Sequence, residues 1–162
     1  MTIPGTTTEA PVRKSVTVNA EIHRAFRVFT EGIDTWWPRS HHIGTGTLER
    51  TVLEPRLHGR CYGRTADGVE TPWGTVIEWD PPHRFVLAWQ ITPDWKCEPD
   101  LSRASEVDVR FTAETAGRTR IDLEHRHFHR HGAGHEKMRQ AVDSQGGWSS
   151  LLQMFADAVA QG

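Results

Sequence analysis

The sequence predicts an α+β fold in which a curved, seven-stranded antiparallel sheet wraps a long C-terminal helix. Two observations carry this. Between Leu48 and His131 apolar residues recur with period two, in runs separated by turn residues. From Met138 onward, Ala141, Val142, Gln145, Trp148, Leu151, Leu152, Phe155 and Val159 fall at steps of three and four. That is one helical stripe of about six turns. One amphipathic helix cannot cover both faces of so wide a sheet. The sheet must therefore curl around the helix, and the space between them is the default ligand site.

Each element has its own signal. Arg13 to Val18 alternates, with β-branched Val16 and Val18, and reads as the first strand. Asn19 is the N-cap candidate of a first helix, with Glu21 in the first turn, where the helix dipole favours an acid. Ile22, Ala25, Phe26 and Phe29 give that helix an apolar face, and Gly32 stops it. Trp36-Trp37-Pro38 follows in a short helix or turn. Six strands come next: Leu48–Leu53, Gly59–Arg64, Gly74–Trp79, Arg84–Ile91, Glu106–Phe111 and Thr119–His127. Glu54-Pro55, Asp67-Gly68, Pro81-Pro82 and Ala116-Gly117 punctuate them. Gly146-Gly147 interrupts the last helix. Each glycine there costs about 1 kcal/mol against alanine, which predicts a kink or a place where another group comes close.

A chain of 162 residues is expected to form one domain, here residues 13–162, large enough to fold without disulfide or metal. Residues 1–12 hold Thr, Pro and Gly without an apolar h-region, and read as a disordered tail and not a signal peptide. The net charge of −2 and the scattered arginines exclude a field that recruits nucleic acid or an anionic membrane. No apolar run approaches the roughly 20 residues of a membrane span. Cys61 and Cys97 have no metal or redox spacing and are read as reduced thiols of a cytoplasmic protein, with a disulfide between them left open.

Several short pieces, in order, resemble a known family. They are Ala25-Phe26 with Phe29-Thr30, Trp36-Trp37-Pro38, Trp73-Gly74-Thr75-Val76, Trp79-Asp80-Pro81-Pro82, Trp89, Leu123-Glu124-His125 and Gly147-Trp148. No piece is specific alone, but their order and spacing, from about Lys14 to Val159, are similar to the START/Bet v 1-like (SRPBCC) superfamily. Within it the chain resembles the bacterial branch named for homologues of the activator of Hsp90 ATPase. The resemblance implies the helix-grip fold. It also implies membership in a group that includes lipid carriers, hormone receptors, and polyketide cyclases and dehydratases. The chaperone-activating role belongs to longer eukaryotic members with an additional N-terminal domain. As a chaperone ATPase regulator the chain is therefore ranked third.

The leading expectation is a module that binds a small apolar or aromatic ligand in an internal hydrophobic cavity. The alternative is a cyclase, dehydratase or hydrolase-type enzyme using polar groups in that cavity. The expected lining is Trp36, Trp37, Phe85, Leu87, Trp89, Val107, Val109, Leu123, His125, His127, Trp148 and Leu152. Trp89 shares the parity of Phe85 and Leu87, and Trp148 lies on the apolar face of the last helix. Each of these also reads as ordinary core. Trp95, in a Pro-rich connection, is a lid candidate, and Glu70, Asp94 and Glu98 are loop carboxylates near the mouth or simply solvated. His125, His127, His129 and His131 alternate, which in a strand puts them on one side. Same-side neighbours are then roughly 7 Å apart along the strand, too far to share one zinc at about 2 Å from each ligand. No metal is expected there. His125 alone is either a satisfied neutral histidine or a polar anchor or general acid/base. No nucleophile elbow, phosphate loop, paired carboxylates or nucleotide fingerprint is present, and no cofactor is expected. Catalytic residues are not assigned, and a homodimer is left open. Two or more titratable groups within mutual reach inside the cavity would favour catalysis over binding.

Overall fold

A computed structural model describes residues 10–161. Ten elements follow in chain order: β1 (Val12–Val18), α1 (Ile22–Phe29), β2 (Leu48–Leu53), β3 (Arg60–Thr65), β4 (Glu70–Asp80), β5 (Arg84–Trp89), β6 (Ser105–Thr115), β7 (Arg118–Arg126), α2 (His135–Asp143) and α3 (Ser150–Gln161). The seven strands form one antiparallel sheet in the order β1-β7-β6-β5-β4-β3-β2. It curls as a half-barrel around the C-terminal helix, the helix-grip arrangement. The two strands that come first in the chain thus lie at opposite edges, and the segment between them crosses the mouth of the sheet.

The core is the inward face of β5, β6 and β7 closed by α1 and α3. The register sets Phe85 beside Val109, Leu87 beside Val107, Val109 beside Leu123 and Phe111 beside Ile121. All are buried. Phe26 and Phe29 of α1 meet Phe85 and Phe111 at ring-centroid distances of 5.0 to 5.9 Å, and Phe155 of α3 meets Phe29 at 4.9 Å. These edge-on contacts follow from the ring quadrupole. Burying each such ring contributes about 1.5–3 kcal/mol.

The outward face carries a charge cluster. Asp108 of β6 points away from the core, yet its side chain is only 2% exposed. Arg84 of β5 clasps it with two bonds of 3.0 and 2.9 Å, Arg126 of β7 adds one of 2.8 Å, and Arg110 stands at 3.4 Å. Burial alone would raise the Asp108 carboxyl. The hydrogen bonds from Arg84, Arg126 and Arg110 outweigh it and bring the pKa down to about 2.

Several boundaries depart from the sequence reading. Val12, assigned to the tail, is a buried β1 residue paired with His125, and residues 1–9 of that tail lie outside the described residues. The cap of α1 is Glu21 and not Asn19, because the Glu21 carboxylate accepts from the backbone N–H of His23 and Arg24. β5 stops at Trp89, and Ile91 makes only an isolated bridge to Cys97. β7 stops at Arg126, because His127 turns into the left-handed region at φ 65°. Cys61 is buried and Cys97 partly so, and neither forms a disulfide.

The predicted single C-terminal helix is α2 and α3 joined by a wide turn over Gln145–Ser149. Gly147 sits there at φ −89°, ψ −133°, outside helical geometry. A Cβ on Gly147 would lie 2.1 Å from the Val142 carbonyl oxygen. The glycine pair therefore marks a close approach of backbone to backbone and lets α3 leave α2 in a new direction. Among the described residues no helix is long and apolar enough to cross a membrane.

Candidate functional site

The ligand-sized space lies at one end of the half-barrel and not through its centre. A hollow of about 330 Å³ is walled by Trp37, Trp73, Trp89, Trp95, Ile43, Ile91 and the segment Ser40–His42. A second, of about 140 Å³, adjoins it through His41, Trp89 and Trp95 and reaches Ala141, Gly146, Gly147, Trp148 and Leu151. Together they form one open, tryptophan-walled groove. A larger hollow on the outward face is lined by Arg13, Arg120, Arg126 and their acidic partners, a lattice of ion pairs with no aromatic wall.

Each wall residue is placed by its own element. Trp37 follows the helical turn Ile33–Thr35, and its Nε1–H donates to the His41 carbonyl at 3.2 Å, which folds the next residues over it. Trp73 stacks on Trp37 with centroids 5.0 Å apart and planes inclined by 14°. Trp89 stands edge-on to Trp73 at 5.8 Å and to Trp148 at 5.6 Å. Trp95 is 45% exposed at the lip and holds φ 61°, an uncommon backbone conformation for a bulky side chain. Its turn is tied by the Trp95 and Lys96 N–H groups donating to the Thr92 carbonyl and hydroxyl at 2.8 and 3.1 Å.

Behind Trp148 and Trp89 runs a buried polar chain. The Trp148 Nε1–H donates to His125 Nδ1 at 3.0 Å. An indole nitrogen can only donate, so the His125 proton must be on Nε2. That nitrogen is 2.8 Å from Ser105 Oγ, which is itself 2.8 Å from His131 Nε2. Burial holds His125 well below the usual histidine range, and burial brings His131 down to about 4 against the opposing charge of Glu98. Both histidines are neutral at pH 7. His125 has both nitrogens engaged within the protein, so its work is to fix the edge of Trp148. Two titratable groups do share one hydroxyl here, but both are buried and neither lines the groove.

Of the expected lining, Trp37, Trp89 and Trp148 stand in the groove wall. Trp36 instead packs on Phe29 and Phe155 and donates to the Val28 carbonyl at 3.0 Å. Phe85, Leu87, Val107, Val109, Leu123 and Leu152 are buried in the packed core and line neither hollow of the groove, because the aromatic rings of α1 and α3 fill the concave face. His127 lies at the end of β7, half-buried, with its ring 5.9 Å from His129. The alternation of the histidines ends there: Phe128–His131 is a helical turn that brings His131 back to Ser105. Among the described residues no group of three or more His, Cys, Asp or Glu is arranged to hold a metal ion.

Trp73, His41 and His42 were not expected in the wall. Trp73 is hidden from a period-two reading by a bulge. Cys61 pairs with Gly74 and Tyr62 with Pro72, so Trp73 is the extra residue and turns to the side its parity denies. His41 and His42 are placed by the Trp37 hydrogen bond, which no periodicity reports.

The profile of the family described as Activator of Hsp90 ATPase homolog 1-like protein matches residues 19–160. The chain belongs to that family. Among solved structures, this Activator of Hsp90 ATPase homolog 1-like chain is 39% identical to Txn09, an anthrahydroquino-γ-pyrone synthase. The match covers 93% of this chain and 97% of the other, with a TM-score of 0.66. It is 32% identical to CalC from Micromonospora echinospora, a self-sacrificing resistance protein, over 93% and 94% of the two chains at TM-score 0.67. A protein from Mesorhizobium loti, 13% identical at TM-score 0.66, shares the fold of this family over 94% and 98% of the chains. A comparison with curated proteins finds no match.

Proposed function

We propose that this chain binds a flat, mostly apolar aromatic molecule of the polyketide type in the groove between Trp37, Trp73, Trp89, Trp95 and Trp148. The observation that carries the reading is Trp95, a tryptophan left nearly half exposed on a strained backbone at the lip of an aromatic slot. Large exposed rings at the mouth of a concave apolar site serve a ligand better than they serve the fold. The synthase name of Txn09, at 39% identity over nearly the whole chain, supports an aromatic polyketide as the ligand class. A second reading, catalysis of the cyclase or dehydratase type, is favoured by His41 and His42, titratable side chains in the same wall.

Titration of tryptophan emission with planar hydroxyanthraquinones tests the reading. Saturable quenching is expected. Trp95→Ala should weaken binding by about 3- to 10-fold, the worth of one aromatic contact, with the melting temperature unchanged. If no member of a panel of anthraquinones, naphthoquinones and fatty acids changes the emission, the groove is not a binding site. Turnover of such a compound, lost on replacing His41 or His42, would decide for the second reading.

A further inference from the structure

We infer that Trp89 selects the ligand: its indole N–H is the donor for a ligand carbonyl, so the groove prefers neutral aryl ketones and quinones to ring systems without that oxygen. This rests on the groove being the binding site. The Nε1–H groups of Trp36, Trp37 and Trp148 each have an acceptor, namely the Val28 carbonyl, the His41 carbonyl and His125 Nδ1. Trp89 is as buried as they are, at 4% exposed, and its Nε1 has no partner. A buried donor without an acceptor is costly, and folded proteins seldom leave one unless something else fills the role. Trp89 borders both hollows of the groove, where they meet.

The chemistry of the partner follows from the wall. An indole only donates, so the ligand must bring an acceptor. The side chains around both hollows include no Lys or Arg, so a carboxylate would be desolvated with no fixed counter-charge. A neutral carbonyl is the acceptor that fits. It must sit on a flat ring system to pass between Trp73, Trp95 and Trp148. A second unpaired buried atom, His42 Nε2, belongs to the same wall and can serve another ligand oxygen.

The probes are fluorenone and fluorene, planar molecules of one size that differ by a single carbonyl. The protein is expected to bind fluorenone about tenfold more tightly, the ordinary worth of one hydrogen bond. Trp89→Phe should abolish the preference, so that fluorenone and fluorene bind with equal affinity, whatever the smaller ring costs both of them. In the unmodified protein, one indole N–H resonance should move downfield with fluorenone and not with fluorene, and the same resonance should be missing from Trp89→Phe. The downfield shift in the unmodified protein is read without the variant and holds even if the variant is unstable. Binding of both probes with equal affinity, or a preference that survives Trp89→Phe, overturns the role of Trp89 and leaves the groove standing. Failure of the protein to bind either probe overturns the groove and the role together.

Discussion

Replacing Asp108 with alanine should cost about 3 kcal/mol of stability, measured by urea unfolding, without touching the groove. The carboxylate is nearly sealed on the outward face, and it neutralises Arg84 and Arg126, whose side chains are themselves about three-quarters buried. Truncating it takes away the most buried acceptor of the cluster and leaves Arg84 with Glu78 alone and Arg126 with Glu106 and Glu124. Removing Arg84 in the same molecule should then cost less than the sum of the two single changes, since the pair acts as a unit. The same cluster sets an acid limit. The folded-state pKa of Asp108 is about 2 against an ordinary 3.8, so its stabilisation is complete above about pH 4 and lost as pH falls towards 2. Glu106 and Glu124, whose carboxyls arginines hold down against the opposing effect of burial, act with the same sign. His131 works at higher pH. It is neutral in the fold down to about 4 but takes up a proton near 6.5 when unfolded, so stability falls between those values by about 3 kcal/mol. Unfolding free energy plotted against pH should show both windows, and Asp108→Ala should flatten only the lower one.

Gly147→Ala is expected to be the most damaging methyl that can be added to the chain's C-terminal part, at about 3 kcal/mol. The new Cβ would stand 2.1 Å from the Val142 oxygen and 2.8 Å from the Ala141 oxygen, both backbone atoms that no rotamer change can move aside. Relief requires α2 and α3 to shift apart, which also moves Trp148 off His125. The variant should therefore melt earlier and show altered near-ultraviolet dichroism. Gly146→Ala is the control, because a Cβ there meets nothing within 4 Å. Equal behaviour of the two variants would mean the turn is not held by this contact.

The sheet was legible because period two survives along β1, β6 and β7, and because Asp67-Gly68, Pro81-Pro82 and Ala116-Gly117 break the runs where strands end. Glycine at 146 and 147 announced a disturbance of the last helix, but its form depends on one backbone contact that no composition encodes. The site was less legible for two physical reasons. Inward parity cannot tell a residue that faces a space from one that faces another side chain, and the rings of Phe26, Phe29 and Phe155 decided that question for Phe85, Val107, Val109 and Leu123. Conversely, Trp73 and His42 reach the groove through a bulge and an irregular segment, neither of which has a period to read.

The crossing of residues 19–47 from one edge of the sheet to the other has a thermodynamic consequence. The groove wall takes Trp37 and His42 from that strap, Trp73 to Trp95 from the middle of the chain, and Gly146 to Leu151 from near its end. No short fragment contains the whole groove, and during synthesis its second hollow is incomplete until residues 141–151 have emerged. Occupancy is therefore coupled to unfolding of the whole molecule and not to the fraying of a loop. A ligand held at a hundred times its Kd should add about 2.7 kcal/mol to global stability, so the melting temperature becomes a gauge of what the groove accepts.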